Sequence, residues 1–125
     1  MNDALLRLAL LAVAVITVFT GLCQLVMPGW MLAIVGGESS PDADHFFATV
    51  GMFMTVTGAM FAHALWQRTG ERVVALWIGV QKLAAAALVV WGIHKGLMGP
   101  IAYGIAAVDL ATGILAWILA ARHAQ

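Results

Sequence analysis

A chain of 125 residues in which 63% are hydrophobic and 10% are charged is too apolar for a soluble domain, where these fractions are roughly 45–50% and 25%. Its length allows one domain, and its composition predicts an all-α, polytopic membrane protein within the lipid bilayer. The formal net charge of zero offers no basic surface for nucleic acid, so that class of partner is not expected.

The first predicted membrane span covers about residues 4–27. Pro28 ends it because proline cannot donate to the helical hydrogen-bond ladder, and Trp30 follows as an anchor at headgroup depth. Small and polar side chains recur on one face of this span, at Thr17, Gly21 and Gln24. Such a face predicts close packing against another helix.

The segment from residue 31 to residue 44 is first apolar and then acidic, which predicts a short helical or re-entrant piece followed by a loop. Ser40 or Asp42 is expected to cap the next helix, because both side chains accept hydrogen bonds from free backbone N–H groups. The second predicted span covers about residues 45–66. Its small-residue face comprises Gly51, Thr55, Gly58 and Ala62.

The third and fourth predicted spans, at about residues 73–93 and 101–121, each carry one charged residue near their middle. Lys82 and Asp109 both lie on the small-residue face of their span, which is the arrangement expected when a charge points into a bundle. The short link between the two spans leaves room only for an antiparallel hairpin. The sequence therefore predicts a single domain over residues 1–125, an antiparallel bundle of four transmembrane helices.

Lys82 and Asp109 lie almost equally far along the chain from this link. At a rise of 1.5 Å per residue both fall about 20 Å from the turn, near the middle of the membrane. Left alone, the two charges would cost roughly 5–7 kcal/mol there, and pairing recovers about 4 kcal/mol. The pair can be a structural bridge between helices. It can also be a proton relay or the polar end of a ligand site.

Three polar residues are candidates for a patch around this pair. Gln81 points about 100° away from Lys82 and is placed to contact another helix. Thr17 and Thr57 fall near the same depth, although a threonine in a helix more often bonds a carbonyl of its own helix. The candidate ligand-binding or structural residues are therefore Lys82, Asp109, Gln81, Thr57 and Thr17.

The acids and histidines at one end of the predicted bundle carry ligand types that suit divalent cations, but no metal site is predicted. The weak candidates are His45, His94, Asp42 and Asp44. No spacing among them specifies a coordination site. The single cysteine, Cys23, excludes an internal disulfide and a multi-thiolate site.

No catalytic set is recognisable in the sequence. There is no membrane H-x-x-x-H set, no pair of histidines at matched depth for haem, and no serine–histidine pair within a span. An enzyme is therefore not favoured. No cofactor is predicted, although a quinone or a lipid could bind.

The cations are distributed unequally between the two ends of the predicted bundle. Lys95 lies alone at one end, and the other end carries Arg7, Arg68, Arg72 and Arg122. The positive-inside rule then predicts cytoplasmic N- and C-termini in a bacterial-type inner (plasma) membrane.

Loose motifs extend over most of the chain. In the first span R-L precedes F-x-G-L-x-x-L and then M-P-G-W; the second span has H-F-F-x-x-x-G-M-F, and the fourth has V-D-L-x-x-G-I-L. In these motifs the chain resembles the DoxX-like and BphX-like small membrane proteins. The resemblance implies a four-helix inner-membrane protein, and one DoxX branch is linked to a quinone-reducing thiosulfate oxidoreductase. No catalytic residues carry over from that branch.

Three functions are compatible with these features. Small size and the lack of a catalytic set favour an accessory subunit of a larger membrane assembly, with other membrane subunits or further copies of the chain as partners. One alternative is a binder or redox partner of a quinone or another lipophilic small molecule, with Lys82 and Asp109 as its polar end. The other alternative is a proton-coupled small transporter.

Overall fold

The computed structural model describes residues 1–122, and within them it contains helices and no strands. The five helices are α1 (Asp3–Val26), α2 (Pro28–Ile34), α3 (Pro41–Gln67), α4 (Glu71–His94) and α5 (Ala102–Arg122). All except α2 are long and apolar enough to cross a membrane. The predicted all-α bundle of four membrane helices is confirmed. The last three residues of the predicted domain lie outside the described part of the chain.

The largest difference from the predicted boundaries is at the start of α3, which begins at Pro41 instead of residue 45. The Ser40 side chain caps it, accepting a hydrogen bond from the backbone N–H of Ala43 at 3.1 Å. Pro41 suits the first helical position, because a backbone N–H at that position would make no hydrogen bond within the helix and its absence therefore costs nothing. Asp42 and Asp44 occupy the first turn, where negative charge is favoured. This polar turn lies outside the hydrophobic stretch, so hydropathy alone placed the start too late.

Helices α1 and α3 form one closely packed antiparallel pair. Gly21 and Gly51 face each other so closely that a Cβ on Gly51 would stand 2.7 Å from the Gly21 carbonyl oxygen. The buried Gln24 side chain bridges the same helices, donating from Nε2 to the Phe47 carbonyl at 3.0 Å. The small and polar faces predicted for the first and second spans therefore pack against each other.

Helices α4 and α5 form the second closely packed pair. The Trp117 indole lies directly against Gly79, and its Nε1–H donates to the Leu76 carbonyl at 3.0 Å. A Cβ on Gly113 would stand 3.2 Å from the Gly79 carbonyl oxygen. Glycine thus brings the two backbones together, as in the α1–α3 pair.

The two pairs meet in one half of the bundle. We call the end that carries Asp3, the link of residues 68–70 and Arg122 the termini end, and the opposite end, with α2 and the α4–α5 connection, the turn end. The apolar core between the pairs lies in the half nearer the termini end; its buried members are Leu6, Leu10, Ala14, Phe61, Leu65, Ala75, Ile78, Ala116, Leu119 and Ala120. At the turn end, the Gly99 N–H donates to the Val35 carbonyl at 2.8 Å.

Candidate functional site

Lys82 of α4 and Asp109 of α5 form an ion pair within the second helix pair. Lys82 Nζ lies 3.2 Å from Asp109 Oδ1, and the two side chains are 11% and 15% exposed. Small residues share the face of each charge, Gly79 on α4 and Gly113 on α5, so both side chains fit between the backbones. Each charge therefore has an opposite charge at hydrogen-bonding distance, which offsets part of the cost of holding it at this depth.

A small cavity lies where all four long helices meet, on the side of Lys82 that faces α1 and α3. Its volume of about 10 Å³ is close to the minimum that holds one water molecule. Its polar lining comes from every long helix and comprises Thr17, Thr57, Gln81, Lys82 and Thr112. The structure thus brings four of the five candidate residues to one place, and the fifth, Asp109, is reached through Lys82.

The two predicted threonines bond to their own helices. Thr17 Oγ1 donates to the Val13 carbonyl and Thr57 Oγ1 to the Phe53 carbonyl, both at 2.8 Å. A hydroxyl that donates in this way keeps its lone pairs as acceptors. Both threonines can therefore still accept a hydrogen bond in the cavity.

Thr112 also lines the cavity, although it was not among the predicted site residues. It is buried, and it follows Asp109 by three positions on α5. Residues three apart lie on the same face of a helix, so the spacing from Asp109 is the sequence signal that indicates Thr112.

Gln81 differs from the other polar residues of the cavity because it is exposed. Its amide makes no hydrogen bond to any residue between positions 1 and 122. It lies ten residues into α4, about 15 Å along the helix axis from the termini end. Its side chain borders both the cavity and the exposed surface of α4 at that depth, where hydrocarbon offers an amide no hydrogen-bond partner.

The weak metal candidates do not assemble into a site. Within residues 1–122, no group of three or more His, Cys, Asp or Glu side chains is placed to share an ion. Both carboxylate oxygens of Asp44 accept from the Ser39 hydroxyl at 2.8 Å. His45 packs edge-on against Phe46. The geometry therefore adds no support for a cation at the turn end.

A second ion pair, between Arg7 of α1 and Glu71 of α4, was not predicted. Arg7 Nη1 donates to Glu71 Oε2, and the two side chains are only 12% and 11% exposed. This contact joins the first helix pair to the second near the termini end. The signal was Arg7 itself, a cation one turn inside a predicted span between the core residues Leu6 and Leu10. From the sequence, Arg7 contributed only to the prediction of which end of the bundle is cytoplasmic.

Replacing Glu71 with glutamine removes the carboxylate charge facing Arg7 and is expected to lower the free energy of unfolding by about 1.5–3 kcal/mol, the range for a hydrogen bond to a charged group. Unfolding by added SDS in mixed micelles measures the change. The matched control is Asp3→Asn, since Asp3 pairs with Arg122 at 3.0 Å but the side chains are 49% and 38% exposed. An exposed pair is worth about 0–1 kcal/mol, so equal losses in the two variants would contradict this ranking.

Fold and interior together define the class: a four-span α-helical membrane protein with an ion pair between two helices of its bundle and, beside that pair, a small cavity with space for about one water. No family model, no curated protein and no solved structure matches the chain.

Proposed function

We propose that this protein is an accessory subunit that acts by packing against other membrane helices instead of by chemistry of its own. The exposed amide of Gln81 at mid-membrane depth carries this proposal. The ion pair beside it has both charges matched, and the adjoining cavity has room for about one water. Within residues 1–122, the interior therefore has no unpaired charge and too little volume to bind a substrate, whereas the surface exposes an amide without a hydrogen-bond partner.

A glutamine amide in hydrocarbon gains a hydrogen bond when a second helix brings a donor or an acceptor to it. The residues around Gln81 on the exposed face of α4 suit such a contact. Ala84, one turn further along, is small enough to let another backbone approach, and Trp77 and Leu88 are 63% and 60% exposed. Together they form a surface on which a partner helix can pack.

Orientation and location are part of the same proposal. The Arg7 and Arg122 guanidiniums contact carboxylates, but Arg68 and Arg72 are exposed at the termini end. These two cations support a cytoplasmic position for that end in a bacterial-type inner membrane. Membership of the DoxX-like and BphX-like group remains a proposal that rests on the helix motifs.

A quinone or other lipophilic small molecule is the second candidate partner. The observation in its favour is the convergence of polar side chains from four helices on one cavity, with the exposed Gln81 at its edge. The cavity is far smaller than the roughly 300–1,000 Å³ of ordinary ligand sites. Binding would thus require α3 and α4 to separate. A quinone titration followed by tryptophan fluorescence tests for it, with the other four tryptophans replaced by phenylalanine so that the signal comes from the exposed Trp77.

Replacing Gln81 with leucine is expected to weaken association with the partner by about 3-fold to 30-fold, because interhelical hydrogen bonds in membranes contribute about 0.6–2 kcal/mol. The measurement is native mass spectrometry of the untagged chain, extracted gently from its own membranes. The wild type should be detected as a discrete complex, and a smaller fraction of the variant should be found in that complex.

The control for this experiment is Val108→Leu, which places the same new side chain on α5, away from the Gln81 face of α4. Val108 is 57% exposed, and its replacement should leave the complex intact. A wild-type chain that runs only as a lone monomer, or a Gln81→Leu variant with an unchanged complex, would count against the accessory-subunit proposal.

A further inference from the structure

An open cavity of about 400 Å³ lies between α3 and α4 at the termini end. Its lining is divided by chemistry. Apolar side chains come from Met60, Ala64 and Val74, and hydrogen-bonding side chains come from His63, Gln67 and Thr69. Gln67 and Thr69 are at the end of α3 and in the link that follows, at headgroup depth, and Met60 lies deepest, about two turns inside α3.

Two arginines border this cavity in the sequence. Arg68 lies between the lining residues Gln67 and Thr69, and Arg72 precedes the lining residue Val74 by two positions. Both arginines are exposed, and neither makes an ion pair with any residue of the described range 1–122. The other two arginines of the termini end contact carboxylates. The positive charge of this end that no carboxylate offsets therefore includes two arginines, at the end of α3 and in the first turn of α4, next in the chain to residues that line the cavity.

We propose that this cavity binds one anionic phospholipid. Arg68 and Arg72 hold the phosphate, because a guanidinium presents paired N–H donors that match phosphate oxygens. His63, Gln67 and Thr69 supply hydrogen bonds to the headgroup and the glycerol oxygens. The start of an acyl chain lies along Met60 and Val74.

The occupant follows from the combination of charge and shape. Two guanidiniums without carboxylates attract an anion, and basic pockets between membrane helices are suited to anionic headgroups. The apolar wall and the opening toward lipid favour an anion that carries an acyl chain over free phosphate. The volume falls within the usual range for small-molecule sites and fits a headgroup with the first carbons of its chains. This site does not depend on the proposed accessory role, because its binding groups are at the termini end and do not include Gln81 or Trp77.

The test is native mass spectrometry of the purified full chain in detergent, titrated with phosphatidylglycerol or with phosphatidylcholine. The wild type should retain one phosphatidylglycerol and bind phosphatidylcholine at least about tenfold more weakly. The double variant Arg68→Gln/Arg72→Gln should bind phosphatidylglycerol about 30-fold more weakly, from the usual contribution of a basic residue at an anionic surface. Lys95→Gln, which removes a cation at the turn end, is the charge control and should bind as the wild type does.

A second variant distinguishes binding inside the cavity from general electrostatic attraction of the lipid to the basic surface. Met60→Trp fills the cavity and keeps both arginines, so it should reduce phosphatidylglycerol binding; Met60 is 46% exposed, so the fold should tolerate the change. Unchanged binding in Met60→Trp, equal binding of the two lipids, or an equal loss in Lys95→Gln would overturn the proposal. Competition by millimolar inorganic phosphate would show an anion site without lipid selectivity and would overturn it as well.

Discussion

Replacing Lys82 with methionine is expected to lower the free energy of unfolding by about 3–5 kcal/mol, the usual cost of removing one partner from a buried ion pair. The variant leaves the Asp109 carboxyl between α4 and α5 without the cation that now lies 3.2 Å away. Methionine matches the length of lysine closely, so the loss reports charge and not volume. SDS unfolding in mixed micelles measures it, and a loss below 1 kcal/mol would show that the pair contributes little.

The double variant Lys82→Met/Asp109→Leu distinguishes a structural pair from a functional one. Replacing both charges with apolar side chains removes the burial cost and the attraction together, so stability should return to within about 1 kcal/mol of the wild type or exceed it. If cells that carry the double variant also keep the wild-type phenotype, the ion pair contributes only to the stability of the fold. If the double variant is stable but the phenotype is lost, the charges have a role beyond folding, and the proton-relay and ligand hypotheses gain support.

Replacing Gly51 with leucine is expected to lower the free energy of unfolding by about 3 kcal/mol, the upper end of the usual cost of inserting side-chain volume into a closely packed contact. The first added carbon would already stand 2.7 Å from the Gly21 carbonyl oxygen and 2.9 Å from the Leu25 nitrogen. Both atoms are backbone, so no side-chain rotation can relieve the clash. Helices α1 and α3 would have to separate, which would also lengthen the hydrogen bond from Gln24 to Phe47.

The matched control is Gly104→Leu in α5, where an added Cβ would meet no heavy atom within 4 Å. Glycine is a poor helix former, so this variant should be neutral or stabilised by up to about 1 kcal/mol. Unfolding by SDS compares the two variants directly. Similar losses at the two positions would mean that the cost comes from the helix backbone and not from the contact between α1 and α3.

The sequence predicted the spans and their contact faces well because both depend on local pattern. Apolar length identifies a membrane helix, and small residues at helical spacing identify the face that packs. Gly21 and Gly51 were on such faces, and the structure places them in contact. The pattern did not show which face packs against which, because every small-residue face is compatible with every other.

The ion pair of Arg7 and Glu71 could not be predicted for the same reason. Matching depth suggested Lys82 and Asp109 because a tight link constrains their helices to be neighbours. No such link joins α1 to α4, so a contact between their side chains depends on how the two helix pairs meet around Leu10 and Ile78. The predicted start of α3 was wrong for a different reason: the first turn of this helix is polar and lies outside the hydrophobic stretch.

The pairing of α1 with α3 and of α4 with α5 also bears on how the chain is synthesised. Each pair comes from one continuous half of the chain, so the first pair is complete before Glu71 leaves the ribosome. Its glycine contacts can form in the bilayer while the second half is still being translated. Because a short link joins α4 to α5, a hairpin of the two helices can carry Lys82 and Asp109 into the bilayer together, so that neither charge has to remain alone in lipid until a distant segment arrives.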